Sequence, residues 1–431
     1  MNYYSLRRQS PPVDFRAATL AGQAPDGGLY FPETIPRFSQ EFISRLRTMP
    51  KAELALAVMR PYVGATIPEA DLLEIGAAAV DFAFPLVPIT PEISALELFH
   101  GPTLAFKDVG ARFMSRCLGH FARRGDMPPV TVLVATSGDT GGAVASGFLG
   151  VPGVEVVILY PSGKVSPVQE QQLTTLGQNI TALEVSGTFD DCQALVKQAF
   201  QDPELMRRRF LTSANSINVA RWLPQQLYYC LAWQQWPAAA PAPVVAVPSG
   251  NFGNLAAGLL VRASGLPLGR FIAACNANDP VPAYFRTGTY AARPAVPTHS
   301  NAMDVGNPSN FVRIQELFGN DFEALAQVLG ADTVSDADTV ATIRQVWEAH
   351  GYLLDPHGAV AYAALRRYQA AHLSSPGFVL ATAHPVKFPA VVEPILGRAI
   401  PLPEAVQHLQ GRAKQSVPLA VDYAALRAYL W

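Results

Sequence analysis

Lys107 lies in the stretch His-Gly-Pro-Thr-Leu-Ala-Phe-Lys-Asp, His100 to Asp108, directly after Phe106 and ahead of a helical pattern. A lysine held among apolar groups gives up its proton more readily, because desolvation disfavours the ammonium, and the free amine can form a Schiff base. A stem lying on apolar surface with its ammonium in water is the other reading of this one residue. Two glycine-rich turns offer a second kind of chemistry: Ser137-Gly138-Asp139-Thr140-Gly141-Gly142 and Ser249-Gly250-Asn251-Phe252-Gly253-Asn254. Each follows an apolar run and opens a helical pattern, so each aims backbone N–H groups and the positive end of a helix dipole at an anion. Glycines also end strands in any α/β protein, but two such turns rich in Ser, Thr and Asn are harder to dismiss. Neither turn spells a Walker A or a dinucleotide fingerprint, which disfavours nucleotides.

A third candidate is the segment Phe378 to Phe388, which sets Thr382 and His384 just beyond an apolar run. Taken singly, Thr382 reads as a helix cap and His384 as a structural histidine. Taken together, an amine in apolar surroundings, a cradle for a phosphate and a neutral hydroxyl at a strand end match the needs of pyridoxal phosphate. Lys107 is then the Schiff-base lysine.

The elements that must hold these residues are legible from Pro129 onward. The runs PVTVLVAT, VEVVILYP, NITALEV, PVVAVPSG, RFIAACN and GFVLATAHP alternate with helical patterns, as buried strands of a parallel sheet do when helices cover both faces. Asp190 and Asp191 are expected to cap a helix whose Leu195, Val196, Ala199 and Phe200 form one apolar face. Residues 1 to 95 carry helical patterns at Lys51 to Arg60 and Glu69 to Phe82 and read as a mostly helical N-terminal domain. The α/β remainder divides at about residue 235 into a region carrying Lys107 and the first turn, 96–235, and a region carrying the second turn and Thr382, 236–431. Trp236 to Val245, rich in Pro and Ala, reads as a surface connection, and Arg286 to Ser309 as an aperiodic excursion.

Composition narrows the class. The chain has 431 residues, 49% hydrophobic and 15% charged, enough to build a large core in two or three domains. With 32 basic and 34 acidic residues and a net charge of −2, a nucleic-acid partner is not expected. The four cysteines, Cys117, Cys192, Cys230 and Cys275, are far apart, so no zinc site or disulfide framework is expected and a reducing, cytoplasmic setting fits. The N-terminal segment lacks the apolar core of a secretory signal, and no stretch reaches the length of a membrane span.

The motifs LELFHGPTLAFKD, TSGDTGGA, ILYPSGKVSP, NSIN, VPSGNFGN, SNAMDV and ATAHPVKF stand in the order and spacing of the bacterial threonine synthases, and the likeness runs from GLYFP near the N-terminus to the last of them. The chain thus resembles a family of fold-type II pyridoxal-phosphate enzymes. That resemblance implies an N-terminal domain, two α/β domains enclosing the cofactor, and conversion of O-phospho-L-homoserine and water to L-threonine and phosphate. It implies Lys107 as Schiff-base lysine and general base, Gly250, Asn251, Phe252 and Gly253 around the cofactor phosphate, and Thr382 at the pyridine nitrogen. For the substrate it implies the turn carrying Ser137 and Thr140 at the carboxylate, and Ser216 and Arg221, with Asn254, at the phosphate. Asp139 stands where many fold-type II enzymes carry an Asn beside the cofactor's phenolic oxygen, so a carboxylate there requires a shared proton or another orientation. Lys164 in PSGKVSP is read as a solvated loop lysine. A monomer or small homo-oligomer without a metal is expected. Two alternatives stay open: a serine or threonine dehydratase that stops after elimination, and a non-catalytic relative that binds small anionic amino acids.

Overall fold

The computed structural model describes residues 1–125 and 127–431. Its first layer joins short strands to helices. Strands β1 (Asn2–Ser5), β2 (Val13–Asp14) and β3 (Tyr30–Pro32) form an antiparallel sheet in the order β2-β1-β3, with the helix Lys51–Val63 tied to it and the helix Glu69–Ala79 packed on that helix. The helices expected here are present, and the small sheet is an addition to them. Tyr3 is buried and donates its hydroxyl to the Tyr62 carbonyl at 2.7 Å, tying sheet to helix.

Strands β4 (Leu86–Pro88) and β5 (Ile93–Glu97) follow, then β6 (Val130–Ala135), β7 (Val154–Pro161), β8 (Ile180–Val185) and β9 (Phe210–Thr212). The remainder supplies β10 (Val244–Pro248), β11 (Phe271–Cys275), β12 (Leu329–Thr333), β13 (Gly377–Ala381) and β14 (Val417–Leu419). They make two sheets: β14-β8-β7-β6-β9, parallel throughout, and β12-β11-β10-β13-β5-β4, parallel except for the β4–β5 edge. Every residue of β6, β11 and β13 is buried, because helices cover both faces of the parallel sheets and leave no face for polar side chains.

All six apolar runs noted in the sequence are strands. Missing from that reading were the short strands β4, β9 and β14, and β5 and β12, whose sequences ISALE and LGADT carry too few β-branched residues to stand out. The sheets also interleave along the chain. β5, near the expected boundary at 95, pairs with β13, and β14, from the region 236–431, pairs with β8 of the other sheet. A cut at 235 therefore separates most strands by sheet but leaves β4, β5 and β14 on the wrong side of it.

Local signals are mostly kept, with one shift. The helix Phe189–Gln201 is capped by Thr188, whose hydroxyl accepts from the Asp191 N–H while the Asp191 carboxylate accepts from the Thr188 N–H. Asp191 is thus the reciprocal partner in the cap and Asp190 sits in the first turn. Leu195, Val196 and Ala199 are buried as expected.

Candidate active site

The two sheets present the carboxyl ends of their strands to a common cavity of about 440 Å³, the position at which α/β sheets bind ligands. Lys107, Ser137, Thr140, Ser216, Arg221, Gly250, Asn251, Phe252, Gly253, Asn254 and Thr382 all line it. They come from the ends of four strands, β6, β9, β10 and β13, and from the start of the helix Lys107–Arg123. Lys164 and His384 are not on this wall: Lys164 is exposed on the loop after β7, and His384 accepts from the Val386 N–H at 3.1 Å and caps a short turn.

Lys107 is the first residue of its helix, and its side chain is 18% exposed, open to the cavity. Nζ lies 3.9 Å from Asp139 Oδ2, beyond hydrogen-bonding length. Burial pushes its pKa down; the Asp139 charge opposes this, and the positive charges of Lys387 and Arg221 add to the lowering. Asp139 heads the helix Asp139–Phe148, and its Oδ1 accepts from Lys387 Nζ at 2.7 Å and Gln169 Nε2 at 2.9 Å. Burial alone would raise this carboxyl, yet Lys387 and Lys107 hold it far below the usual range, so it stays ionised. Lys387 is fully buried and also donates to the Thr103 carbonyl at 2.8 Å. Lys387 thus supplies the charge that compensates the carboxylate inside the protein.

The second turn is built around close approach. A Cβ on Gly250 would lie 2.6 Å from Met303 Cα, and Phe252 adopts the left-handed region at φ +61° just before the helix Gly253–Ala263. Among the described residues, the backbone N–H groups of Gly250 through Asn254 donate to no protein acceptor. The segment Ser300–Val305 closes over this turn, held by His357, whose Nε2 accepts from the Ala302 N–H at 3.2 Å while Nδ1 pairs with Asp355 at 2.7 Å. Asn251 contributes its backbone alone: its side chain bonds to Ser309 and Ser216.

The first turn is shaped by Gly138 at φ +134°, where a Cβ would lie 2.4 Å from Gln169. Thr136 Oγ1 accepts from the N–H groups of Gly138 and Gly141 at 2.9 and 2.8 Å, leaving Ser137 and Thr140 on the rim. Arg221 is 3% exposed, donates to the Ala214 carbonyl, and has no carboxylate partner among the described residues. Burial pushes its pKa down to about 10. Asn254 Nδ2, on the same cavity wall, has no acceptor among the described residues.

These features fit pyridoxal phosphate: an amine free of hydrogen bonds, unpartnered N–H groups at a helix N-terminus, and a Thr382 hydroxyl that makes no protein hydrogen bond among the described residues. Sequence reasoning missed Lys387 and His357. Lys387 alone had a usable signal, since Pro-Val-Lys-Phe places a lysine among apolar residues much as Ala-Phe-Lys does.

Comparison with known proteins agrees along the whole chain. A model described as pyridoxal-phosphate dependent enzyme matches residues 92–383, one for the threonine synthase N terminus matches 2–80, and one for the threonine synthase C-terminal part matches 358–430. The chain is 46% identical to a threonine synthase of Haemophilus influenzae over 431 residues, covering 100% of this chain and 99% of the relative. The crystal structure of threonine synthase from Escherichia coli superposes with a TM-score of 0.92 at 44% identity, covering 100% of this chain and 99% of the other. A pyridoxal-phosphate-bound threonine synthase from Brucella melitensis superposes at 0.93 with 38% identity, covering 100% and 98%. From its N-terminal layer to its C-terminal strand, the chain belongs to the threonine synthase family of pyridoxal-phosphate-dependent enzymes.

Proposed function

We propose that this enzyme converts O-phospho-L-homoserine and water to L-threonine and phosphate, acting as a carbon–oxygen lyase on a phosphate ester in threonine biosynthesis. The observation that carries the substrate assignment is Arg221, a buried cation with one carbonyl partner and no ion pair among the described residues, which the buried Asp108 reaches only at longer range. Buried charges are stable when paired, and a substrate phosphate is the partner that this wall lacks. A dehydratase substrate brings no phosphate to meet it.

Pyridoxal phosphate, when bound, supplies an electron sink that stabilises negative charge on the substrate carbons. Lys107 holds it and, as a free amine, takes and returns the proton at the substrate α-carbon. Gly250, Asn251, Phe252 and Gly253 hold the cofactor phosphate through backbone N–H groups, and Thr382 offers its hydroxyl to the pyridine nitrogen. Ser137 and Thr140 receive the substrate carboxylate. Ser216, Arg221 and Asn254 bind the substrate phosphate and stabilise it as its charge grows on leaving the γ-carbon. A β-proton is lost as phosphate departs, the γ-carbon takes up a proton, and water then adds at the β-carbon while the α-carbon regains its proton.

All of these residues come from one chain, which suits a monomer or small homo-oligomer. The four cysteines are buried and unpaired, in keeping with a cytoplasmic setting. No helix among the described residues is long and apolar enough to cross a membrane.

The test is incubation of the cofactor-loaded protein with O-phospho-L-homoserine, with phosphate and threonine quantified together. Equal amounts of the two are expected. Phosphate accompanied by 2-oxobutyrate overturns the reading in favour of elimination alone, and turnover retained by Lys107→Ala overturns the role of that residue.

A further inference from the structure

Ser216 is surrounded by groups whose hydrogen-bonding directions are chemically forced. Asn251 Oδ1 faces the Ser309 N–H at 2.7 Å, a pure donor, so Asn251 Nδ2 is the atom that meets Ser216 Oγ at 2.9 Å. Asn310 is fixed from both ends. Arg313 Nη1, a pure donor, lies 2.6 Å from Asn310 Oδ1, and the Asn251 carbonyl, a pure acceptor, lies 3.0 Å from Asn310 Nδ2. The same Nδ2 reaches Ser216 Oγ at 3.0 Å.

Ser216 Oγ therefore receives two N–H donors. A hydroxyl has two lone pairs and one proton, so its accepting capacity is filled and its O–H alone remains. No protein group among the described residues takes that proton, and Ser216 lines the cavity.

Arg313 stands behind this arrangement, off the cavity wall and 1% exposed. It donates to the carbonyls of Ser216 at 3.0 Å, Ile217 at 2.6 Å and Tyr30 at 3.1 Å, and its guanidinium lies 4.5 Å from the Trp222 ring centroid. No carboxylate pairs with it among the described residues. The N-terminal layer, through Tyr30, is thereby joined to the segment that carries Ser216.

We propose that Asn310 and Arg313 are positioning residues that make Ser216 an obligate hydrogen-bond donor to the substrate phosphate: Arg313 orients the Asn310 amide, and Asn310 with Asn251 fills the lone pairs of Ser216. The proposal rests on the reading of Ser216 as a phosphate-binding residue. A phosphate dianion accepts hydrogen bonds and has none to give, so a hydroxyl locked as a donor suits it and meets it without reorganisation.

Asn310→Asp tests this by reversing one polarity at nearly constant shape. The new carboxylate still accepts from Arg313, but it presents an acceptor to Ser216 and draws the hydroxyl proton away from the cavity. In the holoenzyme, KM for O-phospho-L-homoserine and the dissociation constant of inorganic phosphate are expected to rise by about tenfold or more, the loss of one hydrogen bond to a charged group. kcat should change less with pyridoxal phosphate saturating; the affinity for pyridoxal phosphate should fall by less than that for inorganic phosphate, because the new carboxylate also faces the Asn251 carbonyl that Asn310 Nδ2 now serves, and the counter-charge gained by Arg313 limits any fall in Tm. Ser216→Ala should raise the same two constants, and adding Asn310→Asp to it should raise them by less than about threefold further. If Asn310→Asp leaves both constants within twofold while Ser216→Ala raises them, the proposal is overturned and the phosphate reading of Ser216 stands. An equal effect with and without the Ser216 hydroxyl overturns the relay as well. No effect of Ser216→Ala overturns the phosphate reading and the proposal together.

Discussion

Lys387 and Lys107 share Asp139 unequally: Lys387 Nζ lies 2.7 Å from one carboxylate oxygen, and Lys107 Nζ lies 3.9 Å from the other. Lys387 has the direct contact and balances the charge. Lys107 keeps only a longer-range attraction, too weak to offset its burial, and its pKa ends below that of an ordinary lysine. A buried carboxylate with two lysines thus leaves one of them easier to deprotonate than an ordinary lysine.

Replacing Lys387 by Met removes a like charge near Lys107 and leaves Asp139 to Lys107 alone, and both changes raise the Lys107 pKa. The rate at which the apoprotein captures pyridoxal phosphate, followed by absorbance across pH, reports the free-amine fraction. Its midpoint should move to higher pH. Denaturant unfolding should show a loss of about 3–5 kcal/mol, since a buried charge loses its main partner. An unmoved midpoint contradicts the unequal sharing.

Gly250→Ala should weaken cofactor binding. The added methyl would sit 2.6 Å from Met303 Cα and 3.1 Å from the Ala302 carbonyl, so backbone has to move on one side of the turn. Pyridoxal phosphate titrated against the variant should show a dissociation constant at least about tenfold higher, corresponding to about 1.4 kcal/mol. Unchanged affinity would mean that the turn does not hold the cofactor phosphate in the way proposed.

Gly110→Ala probes Arg221 from behind. In an open helix the change would be worth about 1 kcal/mol of stability. Here the methyl would meet the Arg221 carbonyl at 2.5 Å and Nε at 3.2 Å, and overpacking of this kind costs about 1–3 kcal/mol. A lower Tm and a KM for O-phospho-L-homoserine that rises more than kcat falls are expected. A variant more stable than its parent would show that the helix and the Arg221 segment separate easily.

His384 makes stability pH-dependent. Burial, with the neighbouring His100 charge adding to it, lowers its pKa to about 4 in the folded protein, against about 6.5 unfolded. Between those values the unfolded chain binds more protons, so stability rises with pH across this window and falls as pH drops through it. An imidazolium also cannot accept the Val386 N–H that His384 now accepts. Asn at this position can still cap the turn without titrating, so His384→Asn should flatten urea-measured stability between about pH 4 and 6.5. A slope equal to the parent's would assign it to other groups.

The strands that were legible in sequence are those buried on both faces, because such strands must be apolar throughout. β5 and β12 were not, since Glu97 lies at one end of β5 and Asp332 and Thr333 lie within β12, where edge and rim positions tolerate polar residues. The N-terminal sheet was hidden for a related reason: its strands are two to four residues long, too short for an alternating pattern to register.

At the site, the sequence by itself determined the groups that act through local chemistry. Lys107 in its apolar run, and two glycine turns that each follow a strand and open a helix, supply a lysine side chain and two helix N-termini wherever the chain is placed. Tertiary structure alone decided how those groups are charged and directed. Asp139 and Lys387 meet across two sheets, and Asn310 reaches Ser216 from 94 residues away. Whether a lysine is an amine or an ammonium, and whether a hydroxyl gives or accepts its hydrogen bond, depends on which partners stand within about 3 Å, and crossover connections bring those partners together regardless of their order in the chain.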